Sequence, residues 1–345
     1  MAPKPNTNCS ILFLVTLLSI ALAYMDIFAQ QLINGLVLGS IYALVALGYT
    51  MVYGVLGLIN FAHGEVVMIG AMVAFSAITL FLGLFPETPG WMLFLVGVLC
   101  AVPVCMLVSF SIERFAYRPL RNAPRLAPLI SAIGVSIILQ TLAMIIWGRN
   151  YLIFPATLPT DPIVLHTFAP SLESDYERIV SITPVQLLIV VVSAALMFGL
   201  TYTVNKTRLG KAMRATSENP QLAGLMGINA NSVIAATFVI GAALAGVAGV
   251  MVAANYSVAH FYMGFLPGLK AFTAAVLGGI GNIYGAMLGG LLLGIVESLG
   301  AGYLGQLTGG FLGSHYQDIF AFAVLILVLT LRPSGLLGER VSDRA

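Results

Sequence analysis

Beyond Asp26, charged residues along this chain are spaced so that eight long stretches carry none: 27–64, 66–86, 88–112, 126–148, 179–205, 219–269, 271–296 and 298–317. Each reaches or exceeds the roughly 20 residues that an α-helix needs to cross a bilayer. Inside lipid every backbone polar group must find its partner within the protein, so such segments are helices or a closed barrel. A barrel would show alternating strands of about 10 residues, and these stretches are too long and too evenly apolar for that. The pattern predicts an all-α polytopic membrane protein with about eight transmembrane helices plus a broken or re-entrant glycine-rich helix pair. The full-length helices fall near 31–55, 62–84, 91–112, 127–148, 183–204 and 231–254, and a last apolar run covers 317–331. The glycine-rich pair occupies 255–316, where Gly264, Gly268, Gly278, Gly279, Gly281, Gly285, Gly289, Gly290 and Gly294 interrupt the apolar run.

Polar residues between these stretches orient the chain. Two short loops are strongly basic, one from Arg114 through Arg118 and Arg121 to Arg125, the other holding Lys206, Arg208, Lys211 and Arg214. Positive loops stay in the cytoplasm, so the loop 149–182 between them lies outside. It is acidic, with Asp161, Glu173, Asp175 and Glu177 against Arg149 and Arg178, as that assignment requires. Counting back puts Gln30 outside and the 60–65 junction near the cytoplasmic face. Residues 1–29 read either as a cleaved signal peptide, ending in the triplet Ala21-Leu22-Ala23, or as an extra transmembrane helix; the topology of the rest is the same either way. The organisation is therefore 1–29, a transmembrane domain over 30–340 and a cytoplasmic tail over 341–345.

Composition agrees with the pattern. Hydrophobic residues make up 59% of the chain and charged ones 8%, against about 25% charged in a soluble domain. A soluble fold of this size could not cover its surface. The net charge of +2 sits in loops that topology explains and does not indicate a nucleic-acid partner. The three cysteines, Cys9, Cys100 and Cys105, read as small apolar residues with free thiols. A weak internal echo lays 55–64 on 276–285 without gaps, with half of the ten positions matching.

An ionisable group within a membrane helix costs about 2.5–3.5 kcal/mol by insertion scales, so each one needs a reason. The candidates for a translocation pathway are Asn60, His63 and Glu65 where two helices meet, and Lys270, Asn282 and Glu297 around the glycine-rich pair. Blander roles stand beside that reading: His63 and Glu65 bracing a helix start, Lys270 extending its amine to the interface, and Glu297 making a buried structural hydrogen bond. The four histidines are scattered, and there is no H-E-x-x-H, no G-x-S-x-G and no G-x-x-x-x-G-K-[ST] phosphate loop, so nothing calls for a metal, a cofactor or catalysis by this chain. Small residues four apart, as in Gly35/Gly39, Gly285/Gly289 and Gly290/Gly294, predict close helix–helix packing.

The second basic loop is the most informative soluble piece. Asn219 is a good helix N-cap, Pro220 fits the first helical position, and Gly227 is a good stop. A short helix over about 220–226 follows, and its Leu222, Leu225 and Met226 exceed what a solvated loop needs. It is either a lipid-interface helix or a docking element.

This loop resembles the coupling loop of ABC-transporter permeases. From about Gln30 to Arg340 the chain is similar to the permease of high-affinity branched-chain amino-acid uptake systems, the LivH type. The stretches that carry the resemblance are 39–54, I-N-F-A-H-G-E at 59–65, E-R-F-A-Y-R-P-L-R at 113–121, 208–229, 237–250 and K-A-F-T-A-A-V-L-G-G-I-G at 270–281. The residues before Gln30 extend beyond the usual start of that family. The resemblance implies an importer subunit in the bacterial inner membrane that pairs with a second permease. Two ATP-binding cassette ATPases would dock below it, and a periplasmic binding protein would deliver leucine, isoleucine or valine. It also implies coupling positions at Arg214, Ala215, Glu218, Asn219, Pro220, Leu225 and Gly227. Relatives of this architecture handle urea and short amides, and a self-sufficient channel is the competing class.

Overall fold

A computed structural model describes residues 7–121, 123–124, 126–156, 158–159, 161–168, 178–308, 316–332 and 334–338. The tail 341–345, Arg125 and the acidic residues Glu173, Asp175 and Glu177 lie outside the described residues. Among the described residues, seven helices are long and apolar enough to cross a membrane: Met25–Leu56, His63–Leu84, Gly90–Leu120, Leu126–Trp147, Pro184–Lys206, Ala230–Tyr256 and Ile283–Gly305. Two apolar helices are shorter, Phe265–Gly278 and Gln317–Leu331. In chain order we label the helices α1 (Thr7–Leu56), α2 (His63–Leu84), α3 (Gly90–Ile112), α4 (Leu126–Trp147), α5 (Pro184–Lys206), α6 (Arg208–Glu218), α7 (Pro220–Leu225), α8 (Ala230–Tyr256), α9 (Phe265–Gly278), α10 (Ile283–Leu307) and α11 (Gln317–Leu331).

The helix α1 is 50 residues long, about 75 Å at 1.5 Å per residue. The stretch that the sequence sets apart as 1–29 therefore joins the first core helix without a turn from Thr7 onward. Over 37–52 α1 is the buried centre of the bundle, with Val37, Ile41, Leu44, Leu47 and Val52 all nearly inaccessible. The helix α10 lies against it along glycines. A methyl group added at Gly39 would sit 2.8 Å from the Leu291 Cα, one at Gly35 2.7 Å from the Ile295 Cα, and one at Gly290 would run into the Ala43 backbone. Lipid supplies no hydrophobic drive between helices, so close backbone approach at small residues is what holds such a pair. The small-residue pattern in the sequence is this interface.

Of the glycine-rich pair, only α9 is short: 14 residues, about 21 Å. With 25 residues, α10 is of full crossing length. The breaks fall at 257–264 before α9 and at 279–282 between the two, where Gly279 and Gly281 have φ of +104° and +95°. The two echo segments each form a helix–turn–helix junction, and a methyl group added at Gly54, just before the first, would sit 3.6 Å from the Gly281 carbonyl oxygen.

The start of α2 is buried in the bundle. The His63 ring occupies the space beside Gly48, eight residues before the end of α1, or about 12 Å inside the bundle. The segment 57–62 thus folds back along α1, and Asn60, His63 and Glu65 are buried within the protein. Gly64 makes room for this by meeting Gly264 and Gly268 of the α8–α9 connection.

Four short strands cap one end of the bundle: β1 (Leu152–Ile153), β2 (Ile163–Phe168), β3 (Arg178–Ile182) and β4 (Val258–Ala259). The strand β1 pairs with β4 and β2 with β3, both antiparallel. Gln30 ties α1 to this end by exchanging two hydrogen bonds with the Ser181 backbone, of 2.9 and 3.1 Å. Because α5 and α8 each cross the bundle, α6 and α7 lie at the opposite end.

Candidate functional site

Three of the charges that punctuate the apolar stretches come together. Lys270 on α9 places its Nζ 2.6 Å from Glu297 Oε1 on α10 and 2.6 Å from Asp318 Oδ1 in the first turn of α11. The Tyr42 hydroxyl on α1 donates to Glu297 Oε1 at 3.2 Å and lies 3.4 Å from the Lys270 amine. The cluster joins four helices. Its Lys270 and Glu297 side chains are 8% and 1% exposed, whereas Asp318 is 34% exposed. Buried charges persist in such a setting only when paired. Lys270 is therefore not the interfacial side chain that the bland reading allowed. The sequence pointed to Lys270 and Glu297 but missed their partners. Asp318 was visible as the end of the charge-free stretch 298–317, while nothing in the sequence distinguishes Tyr42 from the other tyrosines.

Above this cluster a cavity of about 430 Å³ is lined by Leu38, Ile41, Tyr42, Val252, Leu266, Lys270 and Asp318, with Tyr151, Tyr256 and Tyr262 around it. Those last three tyrosines are exposed, so the mouth faces the end that carries β1 and β4.

Asn60, His63 and Glu65 form a second group on the far face of α9. Asn60 Oδ1 accepts from the Ala62 amide at 3.2 Å and lies 3.2 Å from the Tyr117 hydroxyl, bracing the turn into α2. His63 is buried edge-on against Tyr49, with ring centroids 4.9 Å apart. Glu65 Oε1 accepts from Gln140 Nε2 at 2.7 Å and Ser136 Oγ at 3.2 Å, both on α4, beside a small cavity of about 110 Å³. Asn282 joins neither group. Its Oδ1 accepts from the Gly285 amide at 3.1 Å and its Nδ2 donates to the Leu337 carbonyl at 2.9 Å, so it caps α10 and holds the 334–338 segment.

At the opposite end, α7 forms as its residues dictate. Asn219 Oδ1 accepts from the Gln221 and Leu222 amides at 2.9 and 3.0 Å. After Leu225 the Gly227 amide donates to the Gly224 carbonyl and the Ile228 amide to the Ala223 carbonyl, both at 3.0 Å. This closure needs the left-handed φ of +83° at Gly227, which glycine adopts without penalty. Ala223 is buried, while Leu222, Leu225 and Met226 are 59%, 84% and 82% exposed. Arg214 on α6 turns back to donate to the Val204 carbonyl at the end of α5, the Ala215 carbonyl accepts from the Asn219 amide, and Glu218 is exposed. Asn219→Ala removes the cap and should lower stability by about 1 kcal/mol. Thermal unfolding of the purified chain checks this, with Asn219→Ser expected to stay close to the parent.

A bundle of membrane-length helices, with buried charges under a one-sided cavity and an exposed apolar helix at the other end, is a multi-pass membrane permease. The family model described as "Branched-chain amino acid transport system / permease component" matches residues 31–329, and the chain belongs to that family. It is 50% identical over 312 residues to the high-affinity branched-chain amino acid transport system permease protein BraD of Pseudomonas aeruginosa, covering 90% of this chain and 96% of that one. It is 47% identical, with the same coverage, to the corresponding protein LivH of Escherichia coli K12. As a member of this family the chain is a transport permease of the ABC-importer kind and not an enzyme in itself.

Proposed function

We propose that this chain is one permease of an ATP-driven importer of leucine, isoleucine and valine in a bacterial inner membrane. It pairs with a second permease, receives substrate from a periplasmic binding protein, and is driven by two ATP-binding cassette ATPases. The branched-chain amino acid transport named for the relatives supports the substrate class. The observation that carries the ATPase partner is α7: a short helix, capped at both ends, that presents three large apolar side chains away from the bundle. Ala223 anchors it, and Asn229 caps α8 directly after it by accepting from the Ser232 amide at 3.2 Å. A push on α7 therefore reaches a membrane-crossing helix through a four-residue link, 226–229, and rocks the bundle between outward and inward access. Arg214, Ala215 and Asn219 shape this element, Pro220 and Gly227 bound it, and Glu218 and Leu225 make the contact.

Purification of the tagged chain from its native membrane in mild detergent tests the assembly. A P-loop ATPase and a second apolar permease should come with it in fixed ratio. A chain that purifies alone and still moves solute in liposomes would instead make it a self-sufficient channel.

A further inference from the structure

We propose that the cavity above Lys270 is a transit site for a free α-amino acid, whose carboxylate pairs with Lys270 and whose ammonium pairs with Asp318. The aliphatic side chain would lie against Leu38, Ile41, Val252 and Leu266. This rests on the importer reading above and assigns the place inside this chain where the substrate halts.

The charge arithmetic of the cluster leads there. One cation faces two carboxylates, 2.6 Å away on either side. Glu297 is the closed half of the arrangement: it is 1% exposed and held by Tyr42 as well as Lys270. Asp318 is the open half, 34% exposed and part of the cavity lining. The Lys270–Asp318 pair is thus a bond that a ligand from the cavity can reach, while the Lys270–Glu297 pair is not. An amine alone could pair with Asp318 while Lys270 keeps Glu297, but it brings Lys270 nothing in place of the carboxylate it draws away. An acid alone would take Lys270 and leave Asp318 without a cation at a half-buried position. A zwitterion inserted between the two leaves every charge paired, which is the condition under which buried charges are tolerated. The remaining lining is mostly apolar and aromatic, with His260 and Gln317 as its other polar side chains, and a volume of about 430 Å³ falls in the range of small-molecule sites, about 300–1,000 Å³. Since the ligand replaces an existing ion pair, the net gain is small, and weak binding suits a site that must also release its occupant.

Thiol protection in membranes tests this with the full chain. Leu38→Cys places a thiol in the cavity wall, and its modification by a membrane-impermeant maleimide is read by mass spectrometry at that position. Leucine should slow the reaction. Isopentylamine and 4-methylpentanoate, which each keep one of the two charges, should need about tenfold higher concentrations or more, since each forgoes a charge-assisted contact. In the Leu38→Cys/Asp318→Asn chain the protecting concentration of leucine should rise by about the same factor. Its unliganded reaction rate shows whether the cavity is still formed. Equal protection by all three compounds, or leucine protection unchanged by Asp318→Asn, would overturn the site. The compound series needs no charge variant and decides the matter if that variant does not fold. Leucine uptake by the same membranes is measured in parallel. Uptake without protection removes the transit site and leaves the importer reading intact, whereas absence of leucine uptake removes both.

Discussion

Charge reversal at Glu218 combined with Leu225→Asp abolishes uptake while the chain stays inserted and folded. Both side chains are exposed, and Leu225 at 84% touches little of its own protein. Substitutions at such surface positions change stability by no more than about 0.5 kcal/mol. Neither residue caps α7, since Asn219 and Gly227 do that. If Leu225 is an anchor buried in an ATPase groove, placing a carboxylate there removes an interaction of about 2 kcal/mol or more, so uptake falls more than about thirtyfold. Labelled leucine uptake by membrane vesicles, normalised to the amount of inserted chain, gives the answer. Uptake at the parental rate would remove α7 as the docking element.

The second large effect lies at the ionic cluster. Lys270→Met leaves Glu297 buried without its cation, and breaking a buried pair by removing one partner costs about 3–5 kcal/mol. Replacing both partners by apolar residues of similar volume is often close to neutral. The double variant Lys270→Met/Glu297→Leu should therefore unfold closer to the parent than Lys270→Met does, because the remaining carboxylate, Asp318, can reach water from its 34% exposed position. Thermal unfolding of the detergent-solubilised chains separates these cases. A single variant as stable as the parent would mean that the cluster does not tie the helices together. Uptake behaves differently from stability: the double variant, though folded, lacks the cation that would hold a substrate carboxylate.

The sequence made the spans legible because lipid imposes a length and a polarity that no other environment demands, so the charge-free stretches map directly onto helices. The coupling element was legible for a local reason. Its start and stop are set by Asn219, Pro220 and Gly227, and each acts within its own turn. Tertiary placement was not legible. That α2 begins beside Gly48 depends on three glycines, Gly48, Gly64 and Gly264, yielding space to segments far away in the chain. Hydropathy does not carry such information, so the burial of the 60–65 junction was not legible. The full length of α10 was obscured because glycines read as helix breaks; at the α1 interface they serve instead as sites of close approach. The ionic cluster was half legible. Lys270 and Glu297 stood out as charges in apolar surroundings, whereas their convergence with Asp318 and Tyr42 needed the fold. Asn282 stood out as a polar residue next to glycines, and the fold adds that it caps α10 and holds the Leu337 carbonyl.

Leucine flux into proteoliposomes tests the central claim most directly, with this chain reconstituted alone and then together with its partner permease, the two ATPases and the binding protein. The account predicts accumulation against a gradient only in the complete assembly and only with ATP, and no flux above background through the chain alone. Equal leucine flux through the chain alone, indifferent to ATP, would contradict it.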